Sequence, residues 1–129
     1  MKKIVALLMA LVMVFALCAC GATTEAPTNT VKAGFIFLHD ENSTYDLNFI
    51  TAAKAACEKL GVEYVIKVGI DETEECYVAA AELVDEGCTY IFADSFGHEP
   101  YMIQAAKEFK DVQFCHATGT KAHTEKLAN

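Results

Sequence analysis

Two short stretches carry the side chains best suited to holding a small molecule: Asp40 with Tyr45 and Asp46, and the run Asp94-Ser95-Phe96-Gly97. Each pairs an aromatic ring with hydrogen-bonding groups. That combination suits a flat polar solute that stacks on a ring and is pinned at its edges. The alternative is that Tyr45 and Phe96 are packing anchors and the acids are solvated caps. Ser95 also invites hydrolysis, with His116 or His123 as its base on a nucleophile-elbow turn. Ala93 stands where G-x-S-x-G needs its first glycine, and no orienting acid follows in elbow order, so no enzyme is expected. Neither G-x-G-x-x-G nor a P-loop follows the first apolar run, which leaves nucleotide cofactors unsupported. Cys57, Cys76, Cys88 and Cys115 show no C-x-x-C and no histidine at zinc-finger spacing. Cys115 and His116 are adjacent and would point to opposite faces of a strand. No metal is expected, and the four cysteines read as buried free thiols, although an exported chain could pair them.

The elements that must position these residues are legible as an alternation. Ala33 to Leu38 is a continuous apolar run of strand length, as expected of a central strand covered on both faces. A polar stretch, His39 to Thr44, leads into a helix over 45–60 with an apolar stripe of Phe49, Ala53, Ala56 and Leu60, closed by Gly61. Val62, Tyr64, Ile66 and Val68 alternate as a second strand nearer the sheet edge. Asp71 with Glu74 predicts a cap on a second helix with stripe Cys76, Tyr77, Ala80, Leu83 and Val84, ending at Gly87. Residues 89–93 read as a third strand, Pro100 opens a third helix to about Phe109, and 112–116 read as a fourth strand. Strands alternating with helices imply a doubly wound α/β parallel sheet. With order 2-1-3-4, the strand order reverses between the first and third strands. Ligands bind such sheets beyond the strand carboxyl ends at that reversal, and the loops there are the two that carry Tyr45 and Phe96. The tail after Ala117 has neither strand pattern nor closing helix, so the sheet is expected to end on an open edge in a truncated lobe.

The amino terminus sets the compartment. Lys2-Lys3 precede a 14-residue apolar run, Ile4 to Leu17, shorter than the roughly 20 residues of a membrane-spanning helix. Leu17-Cys18-Ala19-Cys20 resembles a bacterial lipobox, with Cys20 as the lipidated residue and 1–19 as the signal peptide. A diacylglyceryl cysteine carries enough chains for stable anchoring. Residues 20–30 are small and polar and read as a tether reaching up to roughly 35 Å. Without Lys2 and Lys3 the formal net charge of −8 becomes about −10, and the chain has no arginine. Nucleic acid and anionic headgroups are therefore poor partners, and membrane contact falls to the lipid.

Several motifs in order resemble the basic membrane protein family, lipid-anchored substrate-binding proteins of ABC importers related to purine nucleoside receptors. They are Ala33-Gly34-Phe35-Ile36, Ser43-Thr44-Tyr45-Asp46, Ile91 to Gly97, Ala105 to Phe109 with Asp111 to Phe114, and His116-Ala117-Thr118-Gly119, spanning about Lys32 to Lys121. The resemblance implies part of the first lobe of a type I periplasmic-binding-protein-like fold, in which two lobes close on ligand. It implies that Tyr45 stacks on a purine base, that Asp46 replaces the family's usual asparagine, and that Ser95-Phe96-Gly97 faces the cleft. It further implies an extracytoplasmic protein with a nucleoside-like solute and ABC permease subunits as partners. A lipoprotein that senses ligand for a membrane kinase would share the same site chemistry.

Overall fold

A computed structural model describes residues 31–121. The lipobox with Cys20, the proposed tether and His123 lie outside the described residues.

The apolar run forms β1 (Lys32–Ile36), and four strands make one sheet in the order β2-β1-β3-β4, all parallel. The partners are β2 (Glu63–Lys67), β3 (Tyr90–Ala93) and β4 (Gln113–His116). The strand order reverses between β1 and β3, the condition on which a crevice is expected there. Helices α1 (Thr44–Leu60), α2 (Glu74–Asp85) and α3 (Glu99–Glu108) connect them, with a 3₁₀ turn over Phe96–His98 that the sequence reading does not anticipate.

Two cores explain why β1 is apolar throughout. Ala33, Phe35 and Phe37 face α1 and pack with Ile50 and Cys57. Ile36, Ile91 and Ala93 face the other way, against Cys76, Ala80 and Leu83 of α2 and Met102 and Ala105 of α3. Gly34 allows that second contact, because a Cβ there would sit 2.9 Å from Leu83 Cδ1 and 3.3 Å from Cys88 Sγ. Each strand thus sends alternate residues to opposite layers.

The helix ends are set by local capping groups. Ser43 caps α1, its Oγ accepting from Asp46 N at 3.3 Å, and Gly61 closes it at φ 65°, sending its N–H to Cys57 and Glu58 carbonyls. The cap of α2 is Thr73, which accepts from Glu75 N, rather than the predicted Asp71, because the helix begins only at Glu74. The α1 stripe also differs from expectation. Ile50 and Cys57 are its buried apolar residues, while Leu60 is 73% exposed. Among the described residues only α1 lies on this face of the sheet, so Leu60 overhangs a half-covered layer in which Tyr90 and Phe92 are also partly exposed. Val68 is exposed as well, since β2 ends at Lys67.

The four cysteines among the described residues are free. Cys57, Cys76 and Cys88 are buried and Cys115 is half-buried. Burial pushes the Cys76 thiol up to about 12, so it packs as a small apolar group and is not a nucleophile.

Candidate functional site

The loops at the carboxyl ends of β1 and β3 meet at the reversal of strand order, and they meet through Tyr45. Its hydroxyl donates to the Asp94 carbonyl at 3.3 Å, and its ring tilts against Phe49 with centroids 5.0 Å apart. The ring is nevertheless 49% exposed. A tyrosine held at both ends with one side open is a stacking surface fixed in place. Burial, then the Asp94 charge, holds its hydroxyl protonated beyond the usual range, so it remains a donor.

Segment 94–98 is the hub of the site, and every neighbouring loop ties to it. From the loop after β2, Glu72 accepts from Ser95 Oγ at 2.5 Å and from Gly97 N at 2.8 Å. These two bonds, the hydroxyl's first, hold the Glu72 carboxyl below its ordinary pKa. His98, fully buried, donates from Nε2 to the Ile70 carbonyl at 2.9 Å. From β4, His116 Nε2 donates to the Ser95 carbonyl at 2.7 Å. Thr118 Oγ1 donates to the Asp94 carbonyl at 3.0 Å, and Glu99 Oε1 accepts from Lys121 N at 2.6 Å. Burial keeps His116 below the usual histidine range, which leaves it neutral with its proton on Nε2.

The sequence-predicted residues separate by role. Tyr45 and Phe96 are exposed at the rim, Phe96 at 64%. Ser95 is buried, and its hydroxyl proton goes to Glu72. His116 reaches the Ser95 backbone carbonyl instead of its Oγ, so the two do not form a nucleophile–base pair. Asp40 turns back on its own loop, accepting from Asn42 N and Nδ2. Asp46 is 1% exposed and is held by its own loop. It accepts from Ser43 Oγ at 2.5 Å, His39 N at 3.2 Å and His39 Nδ1 at 3.1 Å. Burial works to raise its pKa, but the bonds from Ser43 and His39 together outweigh it and hold the carboxyl below the usual range. Glu72, His98 and Thr118 were not picked out in the sequence, and their partners lie 20 to 30 residues away.

Gly97 is fixed by close approach, for a Cβ there would fall on the Glu72 carboxylate. Gly97→Ala should therefore break the Glu72 clasp and destabilise the chain by about 1–2 kcal/mol, with loss of amide protection confined to 95–98. Hydrogen exchange and urea unfolding check this, and an unchanged stability with the Ser95 amide still protected would contradict it.

Over 96 residues, covering 70% of this chain, the sequence is 33% identical to a purine-binding protein of Brucella abortus. Over that stretch the sequence fits a fragment of the basic membrane protein family of solute-binding proteins. An ABC transporter solute-binding protein from Conexibacter woesei superposes with a TM-score of 0.57 over 65% of this chain, at 20% identity, and shares the fold. No protein-family model matches the chain. The chain spans 27% of the length of the Brucella protein and 28% of the Conexibacter one. The four-stranded all-parallel sheet with its helices is thus the α/β layer of a solute-binding-protein fold.

Proposed function

We propose that this chain supplies one wall of the binding crevice of an extracytoplasmic, lipid-anchored solute-binding protein that serves an ABC importer. Its ligand is a purine nucleoside or a similar flat polar solute. The observation that carries the reading is Tyr45, half-open at the reversal of strand order and locked to the Asp94 carbonyl across the two loops. The name of the Brucella relative, a purine-binding protein, supports a purine-like ring as the stacking partner.

On this reading the base stacks on the Tyr45 ring and Phe96 forms the opposite rim. Ser95 and Gly97 are held ready by Glu72, so the turn costs little to order when ligand arrives. A second lobe closes over the ligand, and closure is what the permease reads. Signal peptide 1–19, lipidated Cys20 and tether 20–30 place the lobe, which runs from residue 31, outside the membrane. No covalent step is involved, because the Ser95 hydroxyl proton is committed to a carboxylate.

Calorimetric titration of a purine nucleoside panel tests the proposal. Saturable binding of at least one member is expected. Silence from a folded sample moves the ligand outside nucleosides. Tyr45→Ala should weaken binding by about 5- to 150-fold, the range of about 1–3 kcal/mol for a base stacked on an aromatic ring. Tyr45→Phe should keep most of the affinity, since the ring remains. Equal affinity in the alanine variant would remove Tyr45 from the site.

A further inference from the structure

Asp94 is the anomaly of the site. It is 2% exposed, yet neither carboxylate oxygen has a hydrogen-bond partner among the described residues. Leaving a buried carboxylate unpaired is costly, and such groups persist where something else needs them. The alternation of β3 explains its direction: Ile91 and Ala93 enter the α2–α3 core, whereas Phe92 and Asp94 point to the α1 layer. There Asp94 lines a cavity of about 270 Å³ with Phe37, Phe49, Phe92 and His116. Aromatic rings supply most of its lining, and Asp94 is one of its few polar residues, with both carboxylate oxygens buried. The volume suits a single ring system, being just below the roughly 300 Å³ at which drug-sized sites begin.

Nearby groups do not compete for the carboxylate. Asp46 is occupied by Ser43 and His39, and Tyr45 spends its hydroxyl on the Asp94 backbone carbonyl. His116 Nε2 is committed to the Ser95 carbonyl. The two free oxygens form a planar acceptor fork, whose match is a planar pair of adjacent N–H donors.

We propose that the cavity beside Tyr45 is a recognition pocket for a flat ring bearing an amidine-type edge, two N–H donors side by side, with Asp94 as the specificity-determining residue. The inference rests on reading the β1–β3 crevice as a solute site, and it adds which edge of the ring is read. An edge that presents an acceptor to Asp94 is rejected, because two oxygens are then forced together.

The probe is benzamidine, titrated into the purified chain at neutral pH and followed by amide shifts, with benzamide as the size-matched control. Saturable benzamidine binding is expected, with shifts centred on Phe37, Phe49, Phe92 and Asp94, and at least tenfold weaker response to benzamide. Asp94→Asn should lose benzamidine affinity by at least tenfold while remaining folded, as a thermal melt verifies. Absence of saturation, or equal affinity in Asp94→Asn, overturns the proposal. The two readings separate cleanly. Nucleosides that bind wild type and Asp94→Asn alike, with no benzamidine binding, leave the crevice reading standing without this pocket. Benzamidine binding with a silent nucleoside panel retains the pocket and removes the nucleoside ligand.

Discussion

Asp46→Ala should destabilise the folded chain by about 3 kcal/mol, because one buried carboxylate organises the whole β1–α1 loop. It receives the Ser43 hydroxyl, the His39 amide and the His39 ring, and with Ser43 at the cap and Asp46 three residues on, it also fixes the start of α1. Removing it leaves those donors unpaired in a partly dry site and frees the segment that sets Tyr45. Asp46→Asn keeps the shape but loses the charge and should cost about half as much. The pH dependence has a definite sign. The folded-state pKa lies below the unfolded one, so this stability is present above the ordinary carboxylate pKa and is lost as pH falls through the lowered value. Urea unfolding at pH 7 and at pH 3 measures it. An alanine variant as stable as wild type, with ligand affinity gone, would instead place Asp46 against the ligand.

Asp94→Asn should do the reverse and stabilise the chain at pH 7 by about 2 kcal/mol. Burial first, and the Asp46 charge second, raise the Asp94 carboxyl from 3.8 to about 6. A shift near two units is worth about 3 kcal/mol, of which the amide recovers most while still leaving polar atoms buried. Because the folded pKa is raised, the contribution is favourable below the unfolded pKa and is lost as pH climbs through about 6. The gain from Asp94→Asn should therefore shrink towards zero at pH 4. Denaturant midpoints of both proteins at pH 4 and pH 7 decide it, and a variant less stable than wild type at pH 7 would contradict the account. Stability sacrificed at one buried acid beside an aromatic cavity is the pattern expected of a binding group.

The difference between these two acids shows what the sequence could reveal. The run Ala33 to Leu38 announced a strand buried on both faces, and the strand–helix alternation announced a parallel, doubly wound sheet. Both follow from local hydrophobic pattern. The place expected for a crevice depends only on the strand order, which the sheet shows. Asp46 resembled a ligand-facing residue because it follows Tyr45, although Ser43-x-x-Asp46 already carried the spacing of a cap. Thr73 displaced Asp71 for an equally local reason, the later start of α2. Glu72, His98 and Thr118 carried no signal that sequence could supply. Each is an ordinary polar residue whose role is assigned by a partner on another loop, which only the folded sheet brings near. Leu60 fits a helical stripe well and is exposed because, among the described residues, only α1 covers that side of the sheet.

The central claim is that a purine-type ring sits against Tyr45 between the loops after β1 and β3. Amide chemical-shift mapping of the chain during titration with a purine nucleoside tests it most directly, since it locates even weak binding. The account predicts saturating shifts clustered at residues 39–46, 94–98 and 116–118, largely abolished by Tyr45→Ala. Saturating shifts elsewhere on the sheet, unaffected by that substitution, would contradict it.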